Sequence, residues 1–264
     1  MPTESSLRSS GGLRACGRQR WPGAGRPLVT VITVVYNGAD FIRQTIESVV
    51  NQRFESLEYI IIDGGSTDGT VDLLRSYDGV IDYWVSESDG GIYDAMNKGI
   101  ACSTGKYLLF LNARDELVVE LSDIAQAFEG DYALIYGKAN MVGEDRTLVY
   151  IKGKRLKSSR KLITGTPLCH QAIFYRKESI GAYDATYSII ADRVLTYGII
   201  EKCGLGKTLF LDVPIANYFE GGFSRQHQDR WKREEIAFLK SVGWHLYAEY
   251  RRLGWLWKKL RKAS

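Results

Sequence analysis

Histidine and cysteine are scarce in this chain, three and four among 264 residues. Cys16, Cys102, Cys169 and Cys203 stand far apart, with no Cys-x-x-Cys and no partnering histidines, so zinc-site spacing is excluded. A disulfide framework is not expected in a chain this long, which points to a reducing, cytoplasmic setting. No apolar run reaches the ~18–20 residues that span a bilayer, and the N-terminus lacks the apolar segment of a signal peptide. A membrane, if met at all, would be met from its inner face by a peripheral protein. Gly-x-x-x-x-Gly-Lys is missing, and no Gly-x-Gly-x-x-Gly follows the first strand, which excludes the usual dinucleotide and nucleoside-triphosphate cradles. No internal repeat of fixed period is present.

What is present is a globular composition, 45% hydrophobic and 25% charged, with enough chain for one large domain and a tail. The net charge of +4 is unevenly spread: residues 1–26 carry +4, residues 245–264 carry +5, and the body between them −5. An acidic body argues against nucleic acid, and basic ends argue for an anionic surface. Residues 1–26, rich in Gly, Ser and Arg, read as a disordered basic extension, and an over-extended start is equally compatible.

Order is expected from Pro27 onward. Leu28–Val35 is a nearly continuous β-branched run, as in a strand buried on both faces of a parallel sheet. Asp40 can cap a helix carrying Ile42, Ile46, Val49 and Val50. Tyr59–Ile62 is a second strand and leads through a Gly/Ser/Asp loop, with Asp68 as a cap, into a helix with Val71, Leu73 and Leu74. Tyr83–Val85, a helix over Gly91–Cys102, and Tyr107–Leu111 continue the alternation. Together they indicate an α/β sheet with helices on both faces. Beyond Asp115 the pattern loosens: a helix near Leu121–Phe128, strands at Ala133–Tyr136 and Leu148–Ile151, an extended Pro167–Tyr175, and a helix over Ala191–Cys203.

Ligands of open α/β sheets bind at the carboxyl ends of the strands. Tyr36 and Asn37, Asp63, Ser86 to Asp89, and Asn112 to Asp115 all fall at such ends. Any one of them alone is as well explained as a cap or turn residue, but together they mark one acidic crevice. Such a crevice accepts a diphosphate only with a divalent cation, because carboxylates alone would repel it.

The runs Val34-Val35-Tyr36-Asn37, Ile61-Ile62-Asp63-Gly64-Gly65-Ser66-Thr67-Asp68-Gly69-Thr70, Asp89 to Gly99 and Cys169 to Tyr175 resemble the family 2 glycosyltransferases. The resemblance covers roughly residues 28–220 and is nearest to the bacterial branch serving exopolysaccharide, capsule, O-antigen and glycolipid synthesis. It implies a GT-A fold, a Rossmann-like open mixed sheet over residues 27–224, and inverting transfer from a UDP-, GDP- or dTDP-sugar to a saccharide or lipid-linked hydroxyl. By the same resemblance Asp63 contacts the base, and Tyr36 and Asn37 line the nucleotide pocket. Asp89 and Asn97 lie beside the nucleotide and diphosphate. Asn112-Ala113-Arg114-Asp115 matches the metal motif, with Asp115 the ligand of Mg²⁺ or Mn²⁺. Asp192 matches the catalytic base, and His170 and Gln171 border the donor sugar and acceptor.

Arg114 stands where that family carries the first of two acidic residues. Either one carboxylate suffices, with Glu116 assisting, or the guanidinium itself meets the diphosphate, or the site is impaired. An impaired site would make the chain a nucleotide-sugar-binding subunit of a membrane-associated polysaccharide assembly. A nucleotidyltransferase is a further rival, but its Gly-rich, Arg-containing opening loop is missing. Residues 225–264 read as a helical basic tail. There Leu246, Tyr250, Leu253, Trp257 and Leu260 follow a helical period opposite Arg251, Arg252, Lys258, Lys259 and Lys262, which suits an anionic membrane surface or, equally, packing onto the domain.

Overall fold

The computed structural model of the chain describes residues 8–19, 25–219 and 227–263, with residues 258–263 described as backbone only. Ten strands form one sheet in the order β1-β4-β3-β2-β5-β9-β7-β10-β6, with β8 on the side of β7. They are β1 (Ser9–Gly11), β2 (Val29–Val35), β3 (Leu57–Asp63), β4 (Tyr83–Ser86), β5 (Tyr107–Phe110), β6 (Glu116–Leu117), β7 (Leu134–Val142), β8 (Leu148–Lys152), β9 (Ile173–Arg176) and β10 (Thr208–Phe219). The helices are α1 (Ile42–Val50), α2 (Thr70–Ser76), α3 (Ile92–Cys102), α4 (Arg160–Thr164), α5 (Ala191–Cys203), α6 (Gln228–Ser241) and α7 (His245–Ala263).

Strands β2 to β5 are mutually parallel, and β9 enters antiparallel between β5 and β7. The sheet is therefore mixed. Every residue of β2, β3 and β5 is buried, as the uninterrupted β-branched and aromatic runs require. Alternate residues serve two cores: Val29, Val31, Tyr59 and Ile61 pack on one face, and Ile32, Val34, Ile60 and Ile62 on the other. Because β2 lies between β3 and β5, the strand order reverses there, and a crevice opens at the carboxyl ends of these strands.

Several expectations change. Residues 8–19 are not a disordered extension. β1 pairs antiparallel with β4, and Arg14 is salt-bridged to Glu58, a fully buried acid that also accepts bonds from Thr30 and Thr104. An unpaired charge at Glu58 would be costly, so this arginine fixes its segment in place. Asp40 is not a helix cap; α1 starts after Phe41 with no side-chain cap, while Asp68 does bond the first turn of α2 through Thr70. Leu121–Phe128 is no α-helix. Only a 3-10 turn forms, at Ala125–Glu129, where Lys106 Nζ draws the carbonyls of Phe128, Glu129 and Gly130. Pro167–Tyr175 is interrupted by a 3-10 turn at His170–Ala172 before β9 begins. β7 runs further than expected, and β10 carried no clear strand pattern because Pro214 shifts its register against β7.

Candidate active site

Two adjoining cavities occupy the crevice. The first, about 760 Å³, is lined by Tyr36 and Asn37, by Asn112 to Asp115, by Cys169 to Gln171 and by Asp192. The second, about 1610 Å³, runs along Gly64–Thr67 and Ser86–Asp94. Tyr36, two-thirds exposed, and Tyr93 line both. The expected residues at the ends of β2 and β5 thus meet those from the loop before β9 and from α5.

Asp63 sits at the end of β3 but does not line either cavity. Its carboxylate accepts bonds from the Gly65 and Ser66 amides at 3.1 and 2.9 Å and from the Ser66 and Ser86 hydroxyls at 2.5 and 2.6 Å. Within the chain, Asp63 shapes the Gly64–Ser66 turn, and the turn forms the wall. Glycine is needed there, since Gly65 has φ +83° and a Cβ on Gly64 would lie 2.7 Å from Asp89 Oδ2. Asn37, itself left-handed at φ 47°, accepts the Thr67 amide and donates its own N–H to Ser66 Oγ, so the two loops are stitched together. Asp89 accepts the Gly91 amide at the start of α3, and partial burial raises its pKa.

Asn97 is likewise engaged within the chain. Its amide makes both hydrogen bonds with the Tyr183 backbone, at 3.1 and 2.7 Å, and it does not line either cavity. It pins the Gly181–Asp184 turn to α3.

Asp115 is buried, and burial pushes its carboxyl up to about 8 against the Phe219 amide that donates to it at 3.0 Å and the nearby Arg114 charge. Asn112 Oδ1, also buried, has no hydrogen-bond partner among the described residues. A buried carboxyl held protonated by desolvation beside an unsatisfied amide oxygen suits a hard divalent cation, whose charge would ionise Asp115 and satisfy Asn112. No cluster of three His, Cys, Asp or Glu that could form a complete metal cage occurs among the described residues. Mg²⁺-type sites commonly take one or two carboxylates and complete their shell with substrate phosphates and water, so the donor set fits that use.

Glu116 does not assist, because it lies outside the cavity and bonds Arg146 and Asn217. Arg114 has φ +92°, its N–H donates to Thr45 Oγ1, and its guanidinium lies 5.3 Å from the Phe41 ring centre. It lines the cavity, as Phe41 does.

Asp192 lies in the first turn of α5, where Tyr93 Oη contacts it at 3.2 Å while donating to the Ile189 carbonyl at 2.8 Å. His170 is buried, stacks on Phe110 and hydrogen-bonds Tyr183 Oη at 2.7 Å; burial lowers its pKa, so it is neutral near pH 7. Gln171 accepts from Cys169 Sγ.

Sequence reasoning missed Glu234 of α6. Its carboxylate accepts the Ser188 amide and hydroxyl at 2.9 and 2.7 Å and the amides of Ile189 and Ile190 at 2.9 and 3.2 Å. A carboxylate from a distant helix thereby holds the segment that leads into α5 and Asp192. Next to it, fully buried Glu235 pairs with Lys232, Arg251 and Arg193, and Arg193 in turn donates to the carbonyls of Leu162 and Ile163. Only the spacing of two adjacent acids on a basic helix could have hinted at this.

Comparison with known proteins agrees with this geometry. The model of glycosyl transferase family 2 matches residues 30–184. An uncharacterized glycosyltransferase of Mycobacterium tuberculosis is 38% identical over 63% of this chain and 66% of its own length. A PGL/p-HBAD biosynthesis glycosyltransferase of Mycobacterium bovis is 32% identical over 82% of this chain and 87% of its own. The chain thus spans a little under two thirds of the first relative. Among solved structures, Staphylococcus aureus TarS 1-349 superposes with TM-score 0.58 at 19% identity, over 80% of this chain and 65% of that one. The glucosyl-3-phosphoglycerate synthase of Mycobacterium tuberculosis, solved with Mn²⁺, UDP and glucosyl-3-phosphoglycerate, gives 0.58 at 17% identity over 83% and 80%. Both share the GT-A fold.

Proposed function

Because the chain belongs to glycosyl transferase family 2, a family of glycosyl-transferring enzymes, we propose that it moves a sugar, with inversion, from a nucleoside-diphosphate sugar to a hydroxyl acceptor in bacterial polysaccharide or glycolipid synthesis. The observation that carries this reading is the meeting of Asp115 and Asp192 on one cavity that also holds Tyr36, His170 and Gln171. The nucleotide lies along Tyr36 and the Gly64–Ser66 turn, with UDP, GDP or dTDP as the carrier. The diphosphate reaches Asn112–Asp115. Mg²⁺ or Mn²⁺, when held there by Asp115 and Asn112, supplies charge neutralisation to the leaving group.

Asp192 takes the proton of the attacking hydroxyl, general-base help of ~10²–10⁴-fold. Tyr93 and the Glu234-capped segment hold that carboxylate in place, and neutral His170 contributes orientation without charge. The acceptor hydroxyl attacks opposite the leaving diphosphate, so the configuration at the anomeric carbon inverts.

A peripheral position on the cytoplasmic face of the membrane completes the reading. No described helix is long and apolar enough to cross a membrane. On α7, Leu246, Tyr250, Leu253 and Trp257 are all exposed, while Ala248 faces Ile163, Ile236 and Leu239. The exposure of these four residues supports surface attachment over packing onto the domain; Leu260 and the side chains of Lys258, Lys259 and Lys262 lie outside the described residues. Exposed Leu, Tyr and Trp at helical spacing suit the headgroup boundary.

The test is nucleoside-diphosphate release from a panel of nucleotide sugars with Mn²⁺ and a lipid extract as acceptor. Release by the wild type and its loss in Asp192→Asn is the expected result. Nucleotide binding without release would favour the binding-subunit alternative, for which Arg114 is the supporting feature.

A further inference from the structure

The segment 8–19 lies before the region that the family model matches, residues 30–184, yet it is built firmly into the molecule. Arg14 is paired with buried Glu58, Leu13 is buried, and the Gly12 amide donates to Asp78 Oδ1 at 2.9 Å. Glycine is required at this bend, since Gly12 has φ +91° and a Cβ there would lie 2.8 Å from the Ile81 carbonyl oxygen. The register of β1 on β4 then sets Ser9 opposite Ser86, whose hydroxyl bonds Asp63 at 2.6 Å. Ser9 therefore stands at the carboxyl end of β4, on the wall of the second cavity.

Ser9 meets a cation there. Arg75 of α2 donates to Ser9 Oγ at 3.4 Å and to Asp72 Oδ1 at 2.6 Å. Val71 and Arg75, one turn apart, share the face of α2 that lines this cavity. A guanidinium carries more N–H donors than these two acceptors use. Glu87, the nearby acid on the same wall, is held by Arg8 and Lys98 instead, so it does not compete for Arg75. Position limits what Arg75 can meet. Tyr36 and Tyr93 line both cavities and mark the junction toward Asp115, whereas Ser9, Asp72 and Arg75 line the second cavity only. The other cation of that cavity, Arg230, stands beside Glu234 on the Ser188 side, which both cavities share. A nucleotide whose diphosphate reaches Asn112–Asp115 brings its base, and not its phosphates, toward Arg75.

We propose that Arg75 reads a keto oxygen of the donor's base, O4 of uracil or thymine or O6 of guanine, and that Ser9 of the N-terminal strand is the positioning residue that aims it. A guanidinium only donates, so it favours a ring carbonyl over the amino group that cytosine and adenine carry at the same ring position. The N-terminal segment is thereby a working part of the donor site, anchored by Arg14 and acting through Ser9. This rests on the transferase reading and assigns a base-reading residue within it.

The test is calorimetric titration of the full chain, with Mn²⁺, against UDP, CDP, GDP and ADP, with thermal melting of each variant alongside. UDP and CDP share ribose, ring size and diphosphate and differ in the keto or amino group; GDP and ADP repeat the comparison for a purine. For whichever ring size binds more tightly, the keto nucleotide is expected to exceed its amino counterpart by about ten-fold, as one charge-assisted hydrogen bond is worth. Arg75→Met is expected to bring the keto nucleotide down to the amino level and to leave the amino one unchanged. Ser9→Ala is expected to remove about three-fold of the preference, and Ser9→Thr, which keeps the hydroxyl, to restore it. Equal affinity for keto and amino nucleotides in the wild type would overturn the proposal. So would an Arg75→Met that weakens all four alike, since its charge would then act on the diphosphate. A Ser9→Ala that lowers the melting temperature without moving the keto-to-amino ratio would make β1 a structural strand only and overturn it too. Failure of the wild type to bind any of the four would instead remove the transferase reading beneath it.

Discussion

A single buried oxygen decides much of the chemistry. Asp115 is pushed up to about 8 because it is buried. Between the ordinary carboxylate pKa and about 8, the metal-free native state holds a proton that the unfolded chain has released. The native state then binds more protons than the unfolded one, so stability falls as pH rises across that window and levels off above it. Metal-free wild type is expected to lose melting temperature between pH 5 and pH 8 relative to Asp115→Asn, and Mn²⁺ with UDP is expected to raise the wild type only; parallel melting curves would contradict this. Arg114 beside it occupies a left-handed backbone that Asp tolerates better than most residues. Arg114→Asp is expected to preserve transfer with a steeper Mn²⁺ dependence, measured by initial rate against metal concentration. Asp115, Asp192, His170 and Gln171 were legible as positions from their motifs, and all four line one cavity. Asn97 and Asp63 were legible as positions but not as roles. Residue type cannot tell whether an amide meets a ligand or, as here, a backbone 86 positions away.

Among the elements, β2 to β5 with α1 to α3 were readable because uninterrupted apolar runs and 3.6-residue periodicity carry their own signal. The elements that failed depend on partners distant in sequence. β10 bends at Pro214, the Ala125–Glu129 turn yields to Lys106, and β1 forms because Arg14 answers a buried acid. Arg14→Ala leaves Glu58 without its cation and is expected to cost about 3 kcal/mol, read from chemical denaturation, in line with breaking one partner of a buried pair. Unchanged stability would show that β1 docks without that pair. The start of α5 depends on α6 in the same way. Glu234→Gln replaces a carboxylate facing three N–H groups with an amide that can turn only one oxygen to them. It is expected to lower kcat about ten-fold while leaving the KM for the donor unchanged, since loss of one charged cap costs about 1–2 kcal/mol. A change confined to donor KM would place Glu234 in donor binding.

For the molecule as a whole, the parallel half of the sheet forms the side proposed for the nucleotide, and the mixed half, with α5 and α6, forms the side on which Asp192 stands. The C-terminal helices are thus joined to the site through Glu234 and Glu235 and also expose an apolar stripe. Vesicle flotation is expected to need that stripe: Leu253→Asp with Trp257→Asp should abolish recovery with phosphatidylglycerol vesicles, and undiminished flotation would place attachment elsewhere. The central claim, that Asp192 is the base of a nucleotide-sugar transfer, is tested most directly by single-turnover release of nucleoside diphosphate with saturating donor, Mn²⁺ and acceptor. The expected result is a rate at least ~10²-fold lower in Asp192→Asn at unchanged nucleotide affinity. Equal rates in the two proteins would contradict it.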